Sequence, residues 1–153
     1  ESRITAAETR ARARAHPSHL RLLRAEIATD ELAAEFELAP GATLYHSIIV
    51  HFENDVPIQV EDRWVNPECA PSYLDQDFSA ITPNEHLMAA APLQGASYTI
   101  EAQSAPGEVA PMLAIAEGLP CLVLHRRTTS GGRVASVATM WHPGHLARFT
   151  GSV

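Results

Sequence analysis

Lysine is absent. All eleven basic side chains among the 153 residues are arginine, and eighteen carboxylates outnumber them, giving a formal net charge of −7. An acidic surface repels phosphate backbones, so most of this chain is a poor nucleic-acid binder. Cysteine is scarce as well. Cys69 and Cys121 lie far apart, and neither belongs to a Cys-x-x-Cys pair. A scaffold of several disulfides is excluded; one Cys69–Cys121 bridge is the alternative, and two buried free thiols are the expectation. No apolar run is long enough to span a bilayer, and the first sixteen residues contain no apolar signal core. A cytoplasmic location without membrane contact is expected. Catalytic signatures are missing too: there is no Gly-x-Ser-x-Gly, His-Glu-x-x-His, phosphate-binding loop or dinucleotide fingerprint. Neither enzymatic activity nor a cofactor is expected.

Eight histidines raise the question of a metal. His142 and His145 are three apart, but Pro143-Gly144 between them prevents one helical face from presenting both. His46 and His51 fall on opposite faces of a single strand. These spacings match no standard site, and no metal is expected.

The chain reads as one domain over 17–153, preceded by an Arg-rich segment (Arg3, Arg10, Arg12, Arg14) over 1–16 that reads as helix or linker. A first strand is predicted at 19–27. Thr29 and Asp30 then offer a cap for a short helix, and Pro40-Gly41 a turn. Residues 44–52 and 58–65 form the clearest hairpin, turning at Asn54-Asp55 and stopped by Asn66-Pro67. Thr82-Pro83-Asn84-Glu85 starts a helix that runs to about Ala91, with Thr82 as cap, Pro83 at the first helical position and Glu85 able to close a capping box. A strand at 97–103, a helix near 108–117, a hairpin of 119–129 with 134–142 about Gly131-Gly132, and a short last strand at 147–150 complete the pattern. The class is α+β, a mostly antiparallel sheet with short flanking helices.

Alternation along the first hairpin places Tyr45, Ser47, Ile49 and His51 on one face with Gln59, Glu61, Arg63 and Val65. If the helix starting at Thr82 covers that face, it becomes a closed polar pocket. Its Glu–Arg–His group is then either a self-satisfied network or a ligand site. If nothing covers it, the face is simply solvated. The helix start at Thr82 attracts anions through its backbone N–H groups, or is an ordinary cap. Arg126 and Arg127 point to opposite sides of their strand, and either one grips an anion or both pair with surface acids. Trp64 and Trp141 read as core or interface residues.

The runs from Tyr45 to Asn54, from Pro57 to Pro67 and from Ala70 to Phe78 carry a resemblance. So do Thr82-Pro83, Pro120-Cys121-Leu122, Arg126-Arg127-Thr128 and His142-Pro143-Gly144. Together they are similar to the histidine-utilisation repressors of the GntR superfamily, from about residue 16 to the end. The resemblance implies a UTRA effector domain of chorismate lyase-like fold. It implies a homodimer that contacts operator DNA through a winged-helix half not contained in this sequence. The implied effector is urocanate, an imidazole acid. Sugar-phosphate-sensing relatives have two arginines at the places of Ile49 and His51, and a Glu and a Tyr at those of Ser136 and His142. These departures point away from a sugar phosphate. Relatives keep a Glu at the place of Glu61, use the helix start at Thr82 for anion contacts, and share Arg63 within the histidine-utilisation pattern. The segment Gly144-His145-Leu146-Ala147-Arg148 departs from the family's Arg-Tyr. The implied ligand residues are His51, Glu61, Arg63, Thr82, Ser136 and His142. Glu61 with His51 or His142 would match the imidazole, and Arg63 with the N–H groups after Thr82 would match the carboxylate. Replacing Glu61 or Arg63 by Ala is expected to weaken binding and leave the fold intact. A chorismate lyase-like enzyme and a sugar-phosphate or phosphonate sensor are the alternatives.

Overall fold

A computed structural model describes residues 17–153, so the Arg-rich segment over 1–16 lies outside the described residues. Eight elements follow in order. They are β1 (Ser18–Ile27), α1 (Asp30–Glu35), β2 (Thr43–Glu53), β3 (Val56–Val65), α2 (Pro83–Ala90), β4 (Gly95–Ser104), β5 (Pro120–Ser130) and β6 (Arg133–Pro143). The six strands form one sheet in the order β1-β2-β3-β6-β5-β4, antiparallel at every step. Asn54 and Asp55 adopt left-handed φ of 49° and 64°, as the tight turn between β2 and β3 requires. Gly131 and Gly132 do the same between β5 and β6, where the absence of a Cβ removes the strain.

Each helix starts where its capping residue dictates. The Thr29 hydroxyl accepts from the Leu32 N–H, and acidic Asp30 and Glu31 occupy the first turn of α1. The Thr82 hydroxyl accepts from the Glu85 N–H at 3.1 Å, with Pro83 opening α2. A single 3₁₀ turn at Tyr73–Asp75 lies in the long connection between β3 and α2.

Two expected elements do not form. Residues 108–117 make consecutive turns instead of a helix. Pro111 has no N–H to continue a helical ladder, and Ala114 adopts a left-handed φ of 53°. The N–H of Val109 reaches back three residues, that of Ala110 four and that of Ile115 five, so no single helical repeat is sustained. Residues 147–150 form no strand. β6 is already flanked by β3 and β5, so the chain leaving it meets no free edge. Gly144 instead donates its N–H to the Pro120 carbonyl at 2.9 Å.

Both faces of the sheet are covered near its centre. On one, Val50, Val60, Cys121 and Val123 pack under Ala105, Val109, Ala110 and Leu113 of the turn segment. Beside them, Ala33 and Phe36 at α1 close over Leu44 and Val134. On the other, Ile49 and Val65 lie beneath Ala70, Tyr73, Phe78 and Leu87. Burying each of these large side chains contributes about 2 kcal/mol. The polar face of the first hairpin is therefore roofed by the 66–91 connection, not solvated. Both cysteines are free, Cys121 buried and Cys69 half-buried. No helix among the described residues is long and apolar enough to cross a membrane.

Candidate functional site

Strand register brings the polar residues of the roofed face into one row. Ser47 pairs with Arg63, Ile49 with Glu61 and His51 with Gln59 across β2 and β3. β6 extends the face, with Ala138 opposite Arg63 and Met140 opposite Glu61. Glu61 is 6% exposed and Arg63 is 3% exposed. Arg63 donates from Nε to Glu61 Oε2 at 3.2 Å and from Nη1 to Ser136 Oγ at 3.1 Å. His51 Nε2 contacts the other carboxylate oxygen at 3.3 Å. Ser136 Oγ lies 3.0 Å from Thr128 Oγ1. The result is a chain of contacts running His51, Glu61, Arg63, Ser136, Thr128 across four strands.

Charge in this setting must be compensated. Burial alone would raise the Glu61 pKa, but the adjacent Arg63 charge and the His51 contact overcome it and hold the carboxyl at about 2. Above the chain, the Tyr73 hydroxyl meets Ser47 Oγ at 2.8 Å. Burial pushes its pKa up, so it stays a neutral phenol. Arg126 of β5, opposite Ala138, donates from Nη1 to Asn84 Oδ1 in the first turn of α2 at 3.1 Å.

Four of the six expected residues thus fall into one connected group: His51, Glu61, Arg63 and Ser136. Thr82 does not join it, because its hydroxyl is used as the cap of α2. Asn84, two residues on, is the α2 side chain that hydrogen-bonds to the sheet, through Arg126. His142 shares the face but is tied elsewhere. The Gln59 amide donates to its Nε2 at 2.8 Å, and its Nδ1 is 3.1 Å from the Leu122 carbonyl. In those contacts Nε2 accepts and Nδ1 donates. Tyr73, Asn84 and Thr128 complete the site without having been singled out. Tyr73 and Asn84 reach it through tertiary packing alone. Thr128 was in view only as the end of the Arg126-Arg127-Thr128 run, on the same face as Arg126, and not as a site residue.

A cavity of about 10 Å³ separates α2 from β5 and β6, lined by Asn84, Leu87, Met88, Thr128, Ala135 and Ser136. That is room for one water, whereas small-molecule pockets run from about 300 Å³ upward. Among the described residues, no three His, Cys, Asp or Glu side chains group closely enough to share an ion. His46 lies on the opposite face from His51, stacked on Trp64 at 3.7 Å between centroids.

Residues 11–148 match the UTRA domain family. Over 144 residues the chain is 42% identical to the histidine utilization repressor of Pseudomonas putida, a match covering 94% of this chain and 58% of that protein. The chain thus spans little more than half the length of this curated relative. The crystal structure of the C-terminal domain of the histidine utilization repressor from Pseudomonas syringae superposes with a TM-score of 0.87 at 40% identity, covering 90% of this chain and 98% of that one. A GntR-family transcriptional regulator from Enterococcus faecalis shares the fold, with a TM-score of 0.77 at 18% identity over 89% of this chain and 99% of that one. The chain belongs to the UTRA domain family, in the branch of the histidine utilization repressors.

Proposed function

We propose that this domain is the effector sensor of a transcription repressor of histidine utilisation, and that its effector is urocanate. The observation that carries the reading is the buried, ionised Glu61, held between His51 and Arg63 beneath the 66–91 roof. A buried carboxylate of this kind accepts an imidazole N–H, and His51 supplies a second polar contact to the ring. Positive charge on the same face draws the acrylate carboxylate. Ile49, packed among apolar side chains, leaves no second cation at that position for a phosphate. The pair Ser136 and Thr128 offers hydroxyls to a flat, polar guest.

The narrow cavity implies that α2 shifts when a ligand enters. A ligand that binds the shifted state better than the closed one moves the equilibrium by that difference. In a homodimer, the shift alters the spacing of two DNA-binding heads and releases operator DNA. DNA contact is assigned to chain outside this domain, because a net charge of −7 disfavours it here.

Calorimetric titration of this chain with urocanate, L-histidine and glucosamine 6-phosphate tests the reading. Saturable binding of urocanate, with no heat from the sugar phosphate, is expected. The opposite pattern rejects the effector.

A further inference from the structure

Arg63 and Arg126 share one roof and one face of the sheet. Both pair with Ala138 of β6, Arg63 from β3 and Arg126 from β5, so they stand in one row across three strands. Arg63 is paired with the Glu61 carboxylate and bonded to Ser136. Among the described residues no acid pairs with Arg126: its partner is the neutral amide of Asn84. The next residue along β5, on the opposite face, behaves differently, for Arg127 reaches the Glu37 carboxylate at 3.7 Å. Burial and the neighbouring Arg63 both press on the Arg126 charge. A half-buried guanidinium beside a second one, bonded among the described residues only to an amide, is a cation still short of its anion.

Resting on the reading above, we infer that Arg126 is the group that grips the effector's carboxylate, while Arg63 positions Glu61. We further infer that the Arg126–Asn84 bond is a latch on α2 that this carboxylate displaces. The effector class is a planar monoanion with an N–H at its far end, lying along the row from Glu61 to Arg126. The energetic direction follows from bond type. Both contacts have an ionised donor, but a carboxylate adds a full opposite charge and can accept two parallel N–H bonds from the guanidinium, so the ligand anion outcompetes Asn84. Asn84 occupies the first turn of α2, so losing its hold on β5 frees the helix end over the narrow cavity.

The test compares urocanate with its uncharged amide, by calorimetry on this chain, in wild type and three variants. Wild type is expected to prefer the acid. Arg126→Gln is expected to weaken urocanate binding about tenfold or more and to erase the preference for acid over amide. Asn84→Asp gives Arg126 a built-in carboxylate, so urocanate binding falls and the melting temperature of the free protein rises. Asn84→Ala unlatches Arg126 and leaves urocanate affinity equal or higher. An unchanged urocanate dissociation constant in folded Arg126→Gln overturns the inference while the effector reading stands. If Arg126→Gln does not fold, Asn84→Asp decides: unchanged affinity there overturns it. If wild type binds glucosamine 6-phosphate and not urocanate, the effector reading falls, and Arg126→Gln titrated with that phosphate decides this inference alone. Binding of none of the three compounds overturns both.

Discussion

Glu61 and Arg63 are each other's main charge compensation, and this changes what alanine does to them. Removing either leaves a buried charge without its partner, a loss of about 4 kcal/mol. Glu61→Ala and Arg63→Ala are therefore expected to lower the urea midpoint sharply as well as urocanate affinity, correcting the expectation that the fold would be untouched. Wild-type midpoints in both variants would show the pair to be energetically idle. His46 provides a separate residue-scale test. Its Nδ1 lies 3.1 Å from Glu26 Oε1 and its Nε2 2.7 Å from Asp62 Oδ1, with Arg24 also on Glu26. Burial lowers the ring's pKa, but the two carboxylates outweigh it and raise it above 6.5. A raised histidine stabilises fully below the unfolded value and ceases to as pH rises through the folded one. The melting temperature is expected to fall as pH climbs above 6.5, and His46→Gln to flatten that slope; an equal slope in the variant contradicts the assignment. Strand period made this level legible. His51, Glu61 and Arg63 share a face because alternation has only two sides. Tyr73 and Asn84 were not legible as site residues, because nothing local records what a connecting segment will touch.

Caps decide the helices, and caps can be read from the chain. Thr82 and Pro83 specify where α2 begins, and the Glu85 N–H donating to the Thr82 hydroxyl bears this out. Thr82→Ala is expected to lose about 1 kcal/mol of stability and to speed amide exchange in α2 more than in the strands. Uniform exchange across the chain would mean that α2 does not open independently of the sheet. The failures at this scale have the same origin as the successes. The 108–117 segment carries apolar residues at helical spacing and a Gly stop, yet Pro111 interrupts the ladder and the apolar residues bury through turns instead. Residues 147–150 have strand-like composition, but they leave β6, which β3 and β5 already flank, and the two open edges lie at β1 and β4. Local preference named each segment's options, and tertiary context chose among them.

At the level of the whole molecule, one sheet separates two chemically different layers. The layer under 105–115 and α1 is mainly apolar, and the layer under 66–91 encloses the Glu61 group. Alternation showed the two faces but not their covers, because covering depends on a 17-residue connection from β3 to α2 folding back over its own hairpin. That arrangement makes ligand binding a stability event, since only the folded sheet assembles the row from His51 to Arg126. A ligand at about a hundred times its dissociation constant adds about 2.7 kcal/mol to the folded state. For a domain of this size, that raises the melting temperature by about 8 °C. Urocanate is expected to produce this rise. L-histidine is expected to produce little, because its ammonium group would enter a face where Arg63 and Arg126 already crowd each other. Equal shifts from the two compounds would mean that the arginines do not face the ligand, and that the stabilisation arises elsewhere on the domain.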